Sequence, residues 1–323
     1  MNALSFRWRP LLAAFLFIAA AAVRAADAPP ALKPTPAAAS PIATQATMLG
    51  ATWAGPRVVA VGDHGVVLLS DDQGAHYRQA RAVPLSSSLT SVSFADARNG
   101  WAVGHWGAIL HTTDGGETWA VQRLVPEEDR PLFSVHFFDA QNGLAVGLWS
   151  LVLRTTDGGV TWTPQTLSPP PGAAKADLNL LSLFADGAGH VYAAAERGMV
   201  LRSDDQGQHW QYLATGYKGS FWTGTALPDG SLLVGGQRGT LYRGSAGGTH
   251  WEPVPSGSKS SVTAMAQLQG RVHVVGLDGL QLDSHDGVQF SGQPREDRLS
   301  LTAVLATPNG RWLTFSRRGV VGP

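Results

Sequence analysis

Arginine side chains occur repeatedly at one position of a recurring sequence pattern, and their chemistry suits the binding of carboxylates. A short segment ending in Val-Gly or a similar pair recurs along the chain, as in VVAVG at residues 58–62 and GWAVG at residues 100–104, and two variable residues follow it. We call this two-residue position the slot. A guanidinium group binds a carboxylate through two parallel hydrogen bonds. The slot therefore predicts a docking surface for an acidic partner, formed by Arg197, Arg238, Arg317 and Arg318.

Aromatic residues occupy the same slot in two other copies of the pattern. His105 and Trp106 fill the slot of the second copy, and Trp149 is the second slot residue of the third. Exposed aromatic side chains often anchor a protein interface, so we add these three to the predicted partner-binding residues. The alternative is that the slot arginines are only tolerated turn residues, or that they pair locally with Glu196 or Asp278.

A second repeated string follows the slot and predicts a tight turn between strands. It reads SDDQGAHY, TTDGGETW, TTDGGVTW and SDDQGQHW at residues 70–77, 112–119, 155–162 and 203–210. In a tight turn an Asp accepts backbone N–H bonds, Gly supplies a positive φ, and the aromatic residue begins the next strand. The pattern resembles the Asp-box of bacterial neuraminidase-like repeats. We therefore predict a structural rather than catalytic role for Asp72, Asp114, Asp157 and Asp205.

The repeats recur about every 40 to 48 residues, and each contains four short segments of strand-forming residues joined by Gly-rich turns. Such a period is typical of a β-propeller blade. Seven copies of the pattern can be counted, although the fifth has Ala246 where the box Asp is expected. We predict an all-β fold for residues 47–323, a seven-bladed β-propeller of four-stranded antiparallel blades with Asp-box turns.

The N-terminal residues predict export from the cytoplasm. Residues 1–25 have a charged start with Arg7 and Arg9, an apolar run at residues 11–22 and a small-residue cleavage site ending at Ala25, which together indicate a signal peptide. No later apolar run is long enough to span a bilayer, and no Cys is available for a lipid anchor. We expect a periplasmic or secreted bacterial protein with no integral membrane segment after cleavage.

Residues 26–46 form an Ala- and Pro-rich linker that cannot bury a core. The last blade ends after its third strand, which would leave a sheet edge open. We therefore expect the linker, near residues 41–47, to donate the outer strand of the last blade.

The string GWAVGHWGAILHTTDGGETW at residues 100–119, the seven repeats and the signal peptide together resemble the photosystem II stability and assembly factor family, the Ycf48/HCF136-like propellers. The resemblance covers residues 48–323. It implies a non-catalytic assembly or accessory factor that binds membrane or envelope protein subunits through the axial face, with the slot arginines as counterparts of the family's arginine patch. Nothing in the sequence points to photosynthesis, so we expect a non-photosynthetic bacterial member, with a transporter among the candidate partners.

Other functional classes find less support in the residues. The alternative is a glycan-binding or sialidase-like glycosidase propeller. A sialidase needs a nucleophilic Tyr, and only Tyr212 and Tyr217 are expected near a loop. Other glycosidases need two carboxylates on the axial face, and the best available are Asp63 with Glu196 or Asp278. Cys is absent, no HExxH spacing occurs, and Lys and Arg balance Asp and Glu at 24 each. We therefore predict no enzyme activity, no metal, no cofactor and no nucleic-acid partner, and we expect a monomer.

Overall fold

A ring of seven antiparallel sheets makes up the structure, a computed structural model that describes residues 34–322. The predicted signal peptide at residues 1–25 and the first part of the linker lie outside the described residues. The first strand of each sheet packs against the first strands of its two neighbours, and the seventh packs against the first. The chain therefore forms the seven-bladed β-propeller that the repeats predict, with the first strands around the central channel.

Five of the described blades have four strands, and two have three. Blade 1 contains β1 (Met48–Ala54), β2 (Arg57–Gly62), β3 (Val67–Ser70) and β4 (Arg78–Gln79); blade 2 contains β5 (Leu89–Phe94), β6 (Gly100–Gly104), β7 (Ile109–Thr112) and β8 (Ala120–Arg123); blade 3 contains β9 (Leu132–Phe137), β10 (Gly143–Gly147), β11 (Val152–Thr155) and β12 (Thr163–Gln165). Blade 4 contains β13 (Leu180–Ala185), β14 (Val191–Ala195), β15 (Met199–Ser203) and β16 (Gln211–Ala214); blade 5 contains β17 (Phe221–Ala226), β18 (Leu232–Gly236), β19 (Leu241–Gly244) and β20 (Trp251–Val254). Blade 6 contains β21 (Val262–Leu268), β22 (Arg271–Gly276) and β23 (Gln281–Ser284); blade 7 contains β24 (Leu301–Ala306), β25 (Trp312–Ser316) and β26 (Gly319–Val320).

Short 3-10 helices occupy turns between strands. They are Ala43–Gln45, Asp63–Gly65, His105–Gly107, Pro126–Glu128, Leu148–Ser150, Gln237–Gly239, Ala246–Gly248 and Leu277–Gly279.

The second strand of a blade lies between neighbouring sheets, which explains its small apolar residues. Every residue of β14, with the sequence VYAAA, is buried, and the same holds for β6, β10 and β18. A strand that is covered on both faces is expected to be a continuous apolar run rather than an alternating one. Each large core cluster accordingly joins adjacent blades, as where Val59 and Leu69 of blade 1 meet Ala102 and Leu110 of blade 2.

The ring is closed at blade 7 by a turn of the N-terminal segment and not by the outer strand expected from residues 41–47. Ala43–Gln45 is a 3-10 helix, and a Cβ added to Gly319 would overlap the carbonyl oxygen of Thr44. The hydroxyl of Thr47 also donates to the carbonyl of Arg317 at 3.2 Å. In blade 4, Gly198 occupies the position of Gly319, and a Cβ added there would overlap the carbonyl oxygen of Tyr217, which lies in the loop between blades 4 and 5. The segment thus replaces an interblade loop, and the described residues supply blade 7 with no fourth strand.

Candidate functional site: the slot face

The slots of all seven blades lie on one face of the propeller, which we call the slot face. In each blade the N–H of the first slot residue donates to the carbonyl of the residue that precedes the first strand of that blade, at 2.9–3.3 Å. The donor and acceptor pairs are Asp63 and Thr47, His105 and Ser88, Leu148 and Pro131, Glu196 and Asn179, Gln237 and Ser220, Leu277 and Ser261, and Arg317 and Ser300. Because the first strands line the channel, these bonds place every slot beside its mouth.

The second slot residue has an unusual backbone conformation in six blades. Its φ is positive, between 52° and 58°, at His64, Trp106, Trp149, Arg197, Arg238 and Asp278. A residue other than Gly adopts this left-handed region at a cost of about 1–2 kcal/mol, so the fold imposes it on whatever residue occupies the slot. Blade 7 differs, because Arg317 and Arg318 are the two loop residues of a hairpin closed by Ser316 and Gly319. This conformation could not be predicted from the sequence, because a positive φ is usually signalled by glycine and none of these six residues is a glycine.

The four predicted arginines are all exposed on the slot face. Nη2 of Arg197 lies 3.2 Å from Oδ1 of Asp177, and both side chains remain about half exposed. Arg238, Arg317 and Arg318 form no ion pair with any carboxylate that the structure describes. At least three guanidinium groups are therefore available to a partner without breaking an internal salt bridge.

The acidic residues of the slots are already hydrogen bonded. The carboxylate of Glu196 accepts bonds from the N–H and the side-chain amide of Asn179, at 3.0 and 3.1 Å. Asp63 accepts a bond from Ser88 at 2.8 Å, and Asp278 accepts one from Ser260 at 3.2 Å. The ion pair that Arg197 forms in the structure is with Asp177 and not with Glu196.

The same three carboxylates, which the glycosidase alternative would need, each make a hydrogen bond within the protein. Asp63, Glu196 and Asp278 stand on blades 1, 4 and 6, and each one serves to hold a slot to a neighbouring loop. Tyr212, expected near a loop, lies in β16 and donates its hydroxyl hydrogen to the carbonyl of Ser168 at 2.9 Å. These bonds give the four polar groups structural roles.

The aromatic slot residues differ in how much surface they offer. Trp149 is 57% exposed. Its backbone N–H donates to Oδ1 of Asn179 at 3.1 Å, and this bond fixes the turn that carries Trp149. His105 is also exposed, whereas Trp106 is half-buried and its carbonyl accepts the N–H of Val125 at 2.9 Å. Trp149 is therefore the strongest aromatic anchor among the predicted three.

A further ring of residues at the channel mouth was not predicted from the sequence. The pairing of each first strand with its neighbour shifts register near the slot face, so one residue per blade is displaced as a bulge. These seven residues line a cavity of about 240 Å³ on the axis. They are Leu49, Thr90, Phe133, Leu181, Trp222, Thr263 and Thr302. Adjacent apolar pairs such as Phe221 and Trp222, where a strand should alternate, were the available signal.

The Asp-boxes close the turns on the opposite face. In blade 2, Oδ1 of Asp114 accepts the N–H of Thr118 at 2.9 Å and the hydroxyl of Thr112 at 2.8 Å, and Oδ2 accepts the hydroxyl of Thr118 at 2.6 Å. His76 and His209 take the place of that Thr beside Asp72 and Asp205. Each carboxylate is thus committed to its own turn.

The box turns of blades 2 to 5 are also tied to the preceding blade through the carbonyl that follows the Asp position. Arg57 of blade 1 donates to the carbonyl of Gly115 at 3.1 Å, and Trp101 of blade 2 donates to that of Gly158 at the same distance. Arg202 of blade 4 likewise donates to the carbonyl of Gly247 in blade 5. The boxes therefore stabilise the contacts between blades.

Hydrogen bonding keeps the box carboxylates ionised. The hydroxyl and N–H of Thr161, with the hydroxyl of Thr155, lower the pKa of Asp157 to about 2. Within residues 34–322 no group of three or more His, Asp or Glu side chains could hold a metal ion, and no helix is long and apolar enough to cross a membrane.

The fold and the turns define a seven-bladed β-propeller with structural Asp-boxes, and comparisons with known proteins agree with this class. The family model described as "Photosynthesis system II assembly factor YCF48" matches residues 78–293. This match covers more than half of the chain, which therefore belongs to the Ycf48 family, a family of assembly factors and not of enzymes.

Individual relatives are distant. The photosystem II assembly lipoprotein Ycf48 of Synechococcus sp. (strain CC9902) is 32% identical over 95 residues, which is 28% of the length of either protein. A structure described as YCF48 bound to D1 peptide superposes with a TM-score of 0.69 at 20% identity, over 86% of this chain and 92% of that one. YCF48 from Cyanidioschyzon merolae gives a TM-score of 0.70 at 18% identity, over 87% and 95% of the two chains. These two likenesses show the shared fold.

Proposed function

We propose that this protein is a non-catalytic, periplasmic assembly or accessory factor that binds an acidic segment of a membrane-complex subunit through its slot face. The observation that carries this proposal is the set of exposed arginines on one face, three of which have no carboxylate partner among the described residues. Arginine forks suit carboxylates, and complementary charge raises the rate and specificity of association.

The family match supports a role as an assembly factor, and the sequence supports a location in the bacterial envelope. Ycf48 proteins are named as assembly factors, and one structural neighbour is described with a bound peptide. Because this chain has a predicted signal peptide and no feature that points to photosynthesis, the partner is a complex of a bacterial envelope. Transporter subunits are the first candidates.

The test uses the mature protein with an affinity tag, cross-linked in intact envelopes, with captured subunits identified by mass spectrometry. Changing Arg197, Arg238, Arg317 and Arg318 together to Glu should reduce capture of the main membrane subunit at least tenfold. The fold should persist, because exposed substitutions usually alter stability by less than about 0.5 kcal/mol.

The matched control is Arg311, which belongs to blade 7 like Arg317 and Arg318 but lies at its opposite end. Arg311 is exposed immediately before β25, at the end of that strand opposite Arg317, so Arg311→Glu makes the same charge change on the other face. It should leave capture unchanged, to be compared with Arg238→Glu alone. Arg154 and Arg202 are unsuitable controls, because they donate to carbonyls of the next blade at 3.1 Å. Equal losses of capture in Arg238→Glu and Arg311→Glu would indicate nonspecific electrostatics and refute binding through the slot face.

A further inference from the structure

A groove with mainly apolar walls lies on the slot face, between the N-terminal segment (residues 34–47) and the slot of blade 1. Its volume is about 520 Å³, and the slot residue His64 is part of its lining. We call it the N-terminal groove. Its apolar lining residues are Pro36, Ala38, Ile42, Ala43, Ala46 and Val66. Concave cavities with mainly apolar walls and a few polar groups are typical binding sites.

Contacts with blade 1 hold the walls of the N-terminal groove in place. The N–H of Ala37 donates to the carbonyl of Val83 at 3.0 Å. The side-chain amide of Gln79 donates to the carbonyl of Ala38, and its oxygen accepts the N–H of Ser40, both at 2.9 Å. The groove is therefore formed before any partner binds, so binding there costs little ordering of the chain.

Ile42 is exposed in the groove although it is a large apolar residue. Its side chain is 60% exposed, and its carbonyl accepts the N–H of Gln45 at 2.9 Å, so it stands on an ordered turn. An apolar side chain left in water forgoes the free energy that its burial would gain. The polar lining residues Ser40 and Ser86 are already bonded, because the hydroxyl of Ser40 accepts the N–H of Ile42 at 3.3 Å and that of Ser86 is 2.7 Å from the hydroxyl of Thr35. An apolar group that enters the groove can therefore bury Ile42 and leave these polar bonds in place.

The slot of blade 7 places positive charge beside the groove. The turn Ala43–Gln45, which forms one wall, also contacts β26 at Gly319. Gly319 directly follows Arg317 and Arg318, which are exposed and form no ion pair with any described carboxylate. Asp63, the acidic residue of the blade 1 slot, is hydrogen bonded to the connection between blades 1 and 2. An apolar groove beside two available guanidinium groups is complementary to an apolar side chain flanked by carboxylates.

We infer that the N-terminal groove binds an aromatic or aliphatic side chain of an acidic segment of the partner protein. The carboxylates beside that side chain bind Arg317 and Arg318, and those further along the segment bind the other slot arginines. This inference rests on the proposed function and adds a second recognition element to it, because the groove selects one apolar residue and fixes the register of the segment. The groove is large enough for an aromatic ring, since a cavity of about 150 Å³ holds benzene.

The test follows Ile42 directly by NMR of protein labelled at the δ1 methyl groups of isoleucine. The sequence contains three isoleucines, Ile18, Ile42 and Ile109, and the first lies in the predicted signal peptide, so the mature protein gives two resonances. Ile109 is fully buried in blade 2 and is the internal reference. The probes are two synthetic peptides, acetyl-Glu-Asp-Phe-Asp-Glu-amide and the same peptide with Ala in place of Phe. The Phe peptide should shift only the Ile42 resonance and bind roughly fivefold or more tightly than the Ala peptide, because it buries more apolar surface.

Exposed positions on the two faces provide the variants. Ile42→Ser should fold, since it changes an exposed residue, and it assigns the Ile42 resonance by its disappearance. It should lower the affinity for the Phe peptide to that for the Ala peptide. Val160→Ser makes a similar change at a side chain that is 80% exposed in the box turn of blade 3, on the opposite face. It should change binding by less than about twofold, because distant sites act independently. Arg318→Glu should weaken binding of both peptides, because both depend on charge attraction.

Each outcome decides between the two proposals. Weaker binding in Arg318→Glu with an unchanged preference for the Phe peptide in Ile42→Ser would leave the proposed function standing and refute the groove. Equal binding of the two peptides, an unmoved Ile42 resonance or no binding at all would also refute the groove. An Ile42 resonance that shifts with protein concentration before peptide is added would assign the groove to a second copy of the chain and refute the partner segment. Binding of the Phe peptide that Arg318→Glu does not weaken would instead count against the role of the arginines, and so against the proposed function.

Discussion

Arg197 and Asp177 form an ion pair on the slot face, with Nη2 of the arginine 3.2 Å from Oδ1 of the aspartate. Asp177 lies in the connection between blades 3 and 4, next to Leu178, whose carbonyl accepts the N–H of Ser150. The pair thus places a carboxylate of the protein itself where a partner's carboxylate would bind. Because both side chains are about half exposed, the pair is weak enough for a partner to replace it.

Removing this internal competitor should strengthen binding. Asp177→Asn should raise the affinity for the acidic peptide acetyl-Glu-Asp-Phe-Asp-Glu-amide by roughly twofold to fivefold, since an exposed ion pair contributes up to about 1 kcal/mol. Fluorescence anisotropy with a labelled peptide measures the change. Asp129→Asn removes the same charge from another exposed loop and is the control. An equal gain in both variants would show that only the net charge matters.

The Asp-box carboxylates should matter for stability and not for partner binding. Asp114→Ala removes the acceptor for the N–H and hydroxyl of Thr118 and the hydroxyl of Thr112. The expected loss is about 1–2 kcal/mol in the free energy of unfolding, typical for hydrogen bonds left unmade. Urea denaturation measures it, and Thr113→Ala, at an exposed neighbour, should have little effect. Weaker partner capture with unchanged stability would contradict the structural role of the box.

Blade 5 shows how a box survives without its Asp. Ala246 replaces the carboxylate, but the hydroxyl oxygen of Ser245 accepts the N–H of His250 at 3.1 Å. This N–H corresponds to that of Thr118 in blade 2. A neighbouring hydroxyl can therefore satisfy the donor that the missing Asp would have taken.

The fold was predictable because its determinants are local and repeated. The box string around Asp114 and the small residues of strands such as β14 recur with one period, and each copy encodes the same turn or buried strand. The slots could be placed on one face for the same reason. The ring of bulges and the turn at Ala43–Gln45 depend on contacts between distant residues, which no local pattern records.

Stability should depend on pH through the box carboxylates. The bonds from Thr161 and Thr155 lower the pKa of Asp157 to about 2 from an ordinary value of 3.8. A lowered pKa in the folded state means that the contribution to stability is complete above about pH 4 and is lost as the pH falls toward 2. Urea denaturation between pH 2 and 4 measures how steeply the free energy of unfolding rises with pH. This slope should be shallower for Asp157→Asn than for the unchanged protein, by the equivalent of up to one proton taken up on unfolding. Identical slopes would rule out this linkage.

Closure of the ring should be sensitive to one glycine in the last blade. Gly319 has a φ of +91°, and a Cβ at this position would overlap the carbonyl oxygen of Thr44. Gly319→Ala should therefore destabilise the protein by at least about 1 kcal/mol from backbone strain alone, and it should displace the turn at Ala43–Gln45. Hydrogen exchange provides the local measurement, because the amides of Gln45 and Ala46 are held by bonds of 2.9 and 3.1 Å within that turn and should exchange faster. Gly322→Ala, where an added Cβ would meet no atom within 4 Å, should leave exchange unchanged. If the amides of Gln45 and Ala46 kept their protection in Gly319→Ala, the N-terminal turn would not be closing the ring through blade 7.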